Sequence, residues 1–156
     1  MSGKLTLKNC LIIHLERSLE RKPQVRKLKK DLPYQTKVIE AIDGSKPDND
    51  FSKSYTPRLL RPRYPFSLRP AEVATFQSHR KCWQEILDRG LEVALIIEDD
   101  VDIINREFTA AVKLAMKEIK MGDLIRFPIK LREKPKNSYV MQENISIFEP
   151  TLVGLG

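Results

Sequence analysis

Residues Asn9–Gly44 read NCLIIHLERSLERKPQVRKLKKDLPYQTKVIEAIDG, and their pattern decides the fold. Asn9 to Leu15 is a short apolar run bounded by polar residues, which predicts a buried strand. Lys22-Pro23 predicts a helix start, because proline at the first helical position gives up an N–H that has no partner there. Val25 and Leu28 carry that helix to Asp31, and Pro33 stops it. Gln35 to Ile42 alternates as a second strand and ends in an Asp43-Gly44 turn. Strand, helix and strand in this order predict a parallel pair joined by a right-handed crossover.

The pattern repeats further along. Pro70 opens a helix that runs to Asp88 and is closed by Gly90. Val73, Phe76, His79, Trp83, Ile86 and Leu87 recur at helical spacing, which predicts that this face packs on the sheet. Val93 to Ile97 predicts another buried strand, and it runs directly into Glu98-Asp99-Asp100. A further helix is expected from Asn105 over Phe108, Val112, Ala115 and Ile119, then a strand over Asp123–Phe127 and a hairpin within 138–148. Strands alternating with helices predict an α/β fold, a mainly parallel sheet with helices on both faces. The 156 residues suit a single domain, 1–156. Within it, residues 45–69 read as a mobile insert: five of the ten prolines fall in 45–70, and Arg58, Arg61 and Arg63 interleave with Tyr55, Tyr64 and Phe66. Such a basic-aromatic loop suits closure over an anion.

Composition narrows the function. With 41 % hydrophobic and 31 % charged residues, and no run near the ~20 apolar residues of a membrane span, a transmembrane protein is not expected. MSGKLTLKNC has no apolar leader segment, so a cytoplasmic protein is expected. Cys10 and Cys82 have no paired metal spacing and read as reduced thiols. The net charge of +7 is unevenly spread. Residues 1–40 carry ten Lys/Arg against four Asp/Glu, whereas residues 90–110 carry six acids against Arg106 alone. An acidic knot in a basic chain predicts a cation site in a field that attracts anions.

In open α/β sheets ligands sit beyond the carboxyl ends of the strands. Leu15-Glu16-Arg17-Ser18, Asp43-Gly44 and Glu98-Asp99-Asp100 all fall at such ends. Three consecutive carboxylates repel one another unless a cation compensates, and hard oxygen ligands suit Mg²⁺ or Mn²⁺. In an extended segment Glu98 and Asp100 point one way and Asp99 the other. Arg17 and Arg21 offer guanidinium forks to a phosphate. His79 lies on the apolar stripe between Phe76 and Trp83, beside Ser78, and reads equally as a satisfied core group or a site residue, whereas His14, inside the first strand, reads as structural. No glycine-rich phosphate loop and no G-x-S-x-G is present, which excludes P-loop enzymes, dinucleotide dehydrogenases of the usual pattern and serine hydrolases of the nucleophile-elbow type.

Together these residues resemble glycosyltransferase family 25, which includes lipooligosaccharide and collagen galactosyltransferases. Leu11-Ile12-Ile13-His14-Leu15 with Arg17-Ser18 and Arg21 is similar to the family's opening strand and R-S-x-x-R; Ala41-Ile42-Asp43-Gly44 resembles its A-x-D-G turn. Leu68-Arg69-Pro70-Ala71-Glu72-Val73 through Ser78-His79 and Trp83 resembles its L-x-x-G-E-x-G-C-x-x-S-H helix, with Ala74 and Thr75 in place of Gly-Cys. Leu95-Ile96-Ile97-Glu98-Asp99-Asp100-Val101 matches its acidic strand end, and Ile147–Gly156 the entry to its next block. The resemblance implies a Rossmann-like, nucleotide-sugar-binding fold of the GT-A type. It implies inverting transfer of a hexose, galactose from UDP-galactose, to a lipid-linked or other glycan hydroxyl, with Mn²⁺ (or Mg²⁺) assisting. By position, Glu98, Asp99 and Asp100 would hold metal and diphosphate; Leu15, Arg17, Arg21 and Asp43 would line the nucleotide pocket; Ser78 and His79 would face the sugar. The family continues beyond the position of Gly156, so the general base and acceptor site are expected outside these residues.

Two other readings compete. A response-regulator receiver also binds Mg²⁺ at an acidic strand end, but its phospho-accepting aspartate has no counterpart, since the last aspartate is Asp123. A non-catalytic nucleotide- or nucleic-acid-binding module would rest on charge and on the basic-aromatic insert, with no motif behind it. The acidic knot at the ligand edge argues against nucleic acid. A lipid-linked acceptor would bring the protein to the inner face of a membrane, where its basic segments suit an anionic surface.

Overall fold

The computed structural model describes residues 5–46, 51, 55–56, 67–103, 105–127, 135–142 and 145–150. Most of the expected insert, including Arg58, Arg61, Arg63, Tyr64 and Phe66, lies outside the described residues, as do residues 151–156. Two compact units are formed, Met1–Val101 and Asp102–Gly156.

In the first unit β1 (Asn9–His14) is flanked by β2 (Gln35–Glu40) and β3 (Leu95–Glu98), both parallel to it, in the order β2-β1-β3. A single 3-10 turn over Leu19–Arg21 leads into α1 (Lys22–Asp31), with Pro23 in its first turn as the sequence predicts. The chain passes from β1 outward to β2, then back across β1 to β3 through α2 (Pro70–Asp88). Right-handed crossovers in opposite directions place α1 and α2 on opposite faces of the sheet. The sheet is thus the α/β, Rossmann-like arrangement expected from the sequence.

Alternation along β1 serves both faces. Leu11 and Ile13 pack with Ile39 and with Cys82 of α2, while Ala41, Ile86 and Ile96 close the edge of this cluster. Cys10 and Ile12, which point the other way, are fully buried too, and α1 buries Val25 and Leu28.

The α2 helix has the predicted ends. The Arg69 N–H donates to the Glu72 carboxylate at 2.7 Å, and Pro70 occupies the first turn. At its far end Gly90 adopts φ +59°, with the Gly90 and Leu91 amides donating to the Leu87 and Ile86 carbonyls at 3.0 and 2.9 Å. This is the hydrogen-bond pair of a Schellman cap.

The face of α2 that packs on the sheet keeps Val73 and Ile86 of the expected stripe but leaves out Phe76, Trp83 and Leu87. Val73, Ala74, Ser78 and Cys82 are buried, whereas Phe76 and Trp83 remain 39 % and 37 % exposed and meet edge-on at the surface, ring centroids 5.9 Å apart. Small side chains one helical turn apart let the helix lie close to the strands, and the large rings are left outside.

The second unit contains α3 (Asn105–Glu118), with Val112, Leu114 and Ala115 buried. It also holds an antiparallel hairpin of β4 (Pro135–Gln142) and β5 (Ile145–Pro150), which encloses the predicted span. Asp123–Phe127 is not a strand. Gly122 turns the chain at φ +91°, the Asp123 carboxylate accepts the Lys120 N–H at 2.9 Å, and Leu124 is 72 % exposed. Among the described residues this run has no ladder partner, and without one alternation does not make a strand.

Candidate functional site

Beyond the carboxyl ends of β1 and β2 lies a cavity of about 460 Å³. The chain leaving β1 supplies Leu15, Glu16, Arg17, Leu19 and Lys22; the end of β2 and its following turn supply Glu40, Ala41, Ile42, Asp43 and Lys46; α2 supplies Lys81. Its volume lies within the ~300–1,000 Å³ of typical small-molecule sites. Four cationic side chains (Arg17, Lys22, Lys46, Lys81) outnumber three acidic ones (Glu16, Glu40, Asp43), which favours an anionic ligand.

The cavity floor is tied down from α2. The buried Ser78 hydroxyl accepts the Ile42 N–H at 2.9 Å and donates to the Ala74 carbonyl at 2.8 Å. The Lys81 ammonium donates to the Glu40 carbonyl at 2.6 Å. Gly44 lies against the start of α2 so closely that a Cβ there would meet the Pro70 carbonyl oxygen and the Ala71 Cα at 2.8 Å. On this floor Asp43 accepts the Ser45 hydroxyl and amide at 2.7 and 2.9 Å and the Arg17 Nε–H at 2.7 Å. The Ser45 bonds, aided by Arg17 and opposed by burial, hold the Asp43 carboxyl down at about 2.

On the other side of β1 the acidic run ends β3. Glu98 and Asp99 point to opposite faces, as alternation requires. Glu98 meets the His79 Nε2 at 3.1 Å on the α2 side, and that hydrogen bond outweighs burial to lower the Glu98 pKa. Asp99, only 4 % exposed, accepts from the His14 Nδ1 at 2.6 Å and from the Arg21 guanidinium at 2.7 Å. Burial alone would raise Asp99; the His14 and Arg21 hydrogen bonds overcome it and hold its pKa below the ordinary value. Asp100 does not rejoin Glu98. The strand has ended, and the same Arg21 nitrogen reaches Asp100 at 3.3 Å. Gln24 fastens the next residue, donating to the Val101 carbonyl at 2.6 Å.

The expected site residues therefore fall into distinct groups. Leu15, Arg17 and Asp43 line the cavity. Arg21 instead binds Asp99 and Asp100, Ser78 braces the cavity floor from within the core, and half-buried His79 pairs with Glu98. Lys22, Lys46 and Lys81 were not anticipated from the sequence. A signal for Lys81 existed, since it follows Ser78 by one helical turn and so shares its edge. Among the described residues no three His, Cys, Asp or Glu side chains are gathered as a ready-made metal cage. Asp99 has both oxygens engaged by His14 and Arg21, while the Asp100 carboxylate is half exposed. A hard divalent cation held here would take a single such carboxylate and complete its shell with phosphate oxygens and water.

The model of glycosyltransferase family 25 (LPS biosynthesis protein) matches residues 7–151. Mouse procollagen galactosyltransferase 2 is 30 % identical over 126 residues, covering 78 % of this chain and 20 % of the mouse protein. Human procollagen galactosyltransferase 2 is 33 % identical over 103 residues, 63 % of this chain and 16 % of the human protein. A mouse protein named inactive glycosyltransferase 25 family member 3 is 30 % identical over 104 residues, 64 % of this chain and 17 % of its own length. The chain thus spans a fifth or less of these relatives. With the family model covering nearly its whole length, the chain belongs to glycosyltransferase family 25.

Proposed function

We propose that this chain forms the donor-binding part of a hexosyltransferase that uses a UDP-sugar, galactose being the sugar named in the relatives. The observation that carries the reading is the basic cavity at the ends of β1 and β2, set beside the Arg21–Asp99–Asp100 cluster at the end of β3. The nucleoside would occupy the cavity, with Asp43 and Arg17 on its floor. The connection from β1 to α1 carries Arg17 on the cavity side and Arg21 on the acidic side, so a diphosphate crossing the end of β1 would meet both guanidinium groups. Asp100 would hold Mn²⁺ or Mg²⁺ against that diphosphate. A bound cation there neutralises charge developing on the leaving group. Arg21 and Arg17 contribute to the same end from fixed positions, because their carboxylate partners orient them.

The acceptor is a glycan hydroxyl in this reading, on a lipid-linked sugar at the inner face of an anionic membrane. What supports that surface is the +7 charge, concentrated in residues 1–40 and 53–89; each well-placed Lys or Arg is worth about 1 kcal/mol at such a surface. Among the described residues no helix is long and apolar enough to cross a membrane. A second reading, a non-catalytic member that still binds nucleotide, is favoured by the match to a relative named inactive. Calorimetric titration with UDP-galactose and Mn²⁺, with single-stranded DNA as competitor, tests the donor claim. Nucleotide binding that DNA does not displace supports it; tight DNA binding with no nucleotide response overturns it. Hydrolysis or transfer of the bound galactose then separates the catalytic from the non-catalytic reading.

A further inference from the structure

We propose that His14 is a positioning residue that, through Asp99, sets Arg21 and Asp100 for a diphosphate; the inference rests on the donor-binding reading above. His14 ends the central strand, and its side chain is nine-tenths buried. Its Nδ1 lies 2.6 Å from the Asp99 Oδ2, while its Nε2 is buried with no hydrogen-bond partner among the described residues. The Asp99 carboxylate can only accept, so the ring carries a proton on Nδ1 and donates it to Asp99.

That donation fixes one oxygen of Asp99. The other receives the Arg21 guanidinium at 2.7 Å, and the same nitrogen continues to Asp100 at 3.3 Å. A carboxylate held by only one partner can rotate about its terminal torsion, which is broad. With His14 on one oxygen and Arg21 on the other, Asp99 has one orientation. The Arg21 side chain, 44 % exposed, then presents the rest of its donor fork toward solvent at the strand ends. A planar fork held in this way is suited to phosphate oxygens. His14 touches neither ligand nor cation; it acts through Asp99.

The test compares UDP with uridine, each titrated in the presence of Mn²⁺, on the wild-type chain and on His14→Asn, His14→Gln and His14→Leu. An Asn amide can donate from near the place of Nδ1, Gln displaces the donor by a methylene, and Leu removes it. The affinity gained from the diphosphate, read as the UDP-to-uridine ratio, should fall by roughly tenfold or more in His14→Gln and His14→Leu. It should be largely kept in His14→Asn, with uridine affinity unchanged throughout. An unchanged ratio in His14→Gln and His14→Leu, or no rescue by Asn, overturns the role. If the wild-type chain binds neither compound, the donor reading fails, and the Arg21 guanidinium N–H signals in NMR still decide the positioning step. Their slow exchange in wild type and His14→Asn, lost in His14→Gln, supports it; persistence in His14→Gln overturns it.

Discussion

Ser78, in the middle of α2, accepts a hydrogen bond from the backbone amide of Ile42 at 2.9 Å, so the helix and the cavity floor are one mechanical unit. The family resemblance assigns Ser78 to the sugar side. The structure gives it an internal task as well, with its hydroxyl also returned to the Ala74 carbonyl. Ser78→Ala leaves the Ile42 N–H without this partner. An unsatisfied buried donor costs ~1–3 kcal/mol, and at this chain length each kcal/mol lowers Tm by about 2–4 °C. Thermal melting should show that loss together with weaker UDP binding. Loss of affinity with unchanged melting would instead make Ser78 a ligand contact.

Gly44 provides an independent check on the same floor. A Cβ at this position would sit 2.8 Å from backbone atoms of Pro70 and Ala71, none of which is the far end of a flexible side chain. Gly44→Ala should therefore cost ~1–3 kcal/mol, the usual range for overpacking, and disturb Asp43 beside it. A variant that melts and binds like wild type would show that the turn has room to shift.

Acid stability should follow Asp43 on the low side. Its folded pKa, held at about 2 by Ser45 and Arg17 against burial, lies below the ordinary carboxylate value. A depressed pKa contributes stability that is fully present above the unfolded-state value and is lost as pH falls through the folded one. Stability from this group should be constant from neutrality to about pH 4 and decline from there toward pH 2. Asp99 and Glu98, both lowered, add in the same direction. Denaturant midpoints measured across this range should show a shallower acid decline in Asp43→Asn; identical slopes would contradict the assignment.

The thiols should be silent in the native state. Cys10 and Cys82 are both fully buried and free, and burial pushes them up to about 12 and about 11. The thiolate is the reactive form, so a thiol-specific reagent at neutral pH should label neither residue until denaturant is added. Rapid native labelling of Cys82 would show that the core around Leu11 and Ile13 opens, and labelling of Cys10 that the opposite face of β1 does.

The β-α-β frame was legible because proline and glycine punctuate it: Pro23 and Pro70 begin helices, and Gly90 closes one at a positive φ. The convergence of three parallel strand ends followed from that frame. Hydropathy placed Val73 and Ile86 on the packed face of α2 but could not reveal which residues share it. Close approach to the strands favours Ala74, Ser78 and Cys82 over Phe76 and Trp83, and small residues carry little hydropathy signal. Strand alternation correctly separated Glu98 from Asp99, but it failed at Asp100 because the strand stops at Glu98. Asp100 then turns to Arg21, a pairing 79 residues apart that no local pattern encodes.

The central claim is that the cavity beyond β1 and β2 receives the nucleotide, and chemical-shift mapping of UDP on the ¹⁵N-labelled chain tests it most directly. The account predicts that perturbed amides cluster at Leu15–Arg17, Leu19, Lys22, Glu40–Asp43, Lys46 and Lys81, the residues lining that cavity. With Mn²⁺ added, paramagnetic broadening should centre on Asp100 and reach Arg21. Perturbations confined to other surfaces of the chain, or a spectrum unchanged by saturating UDP, would contradict it.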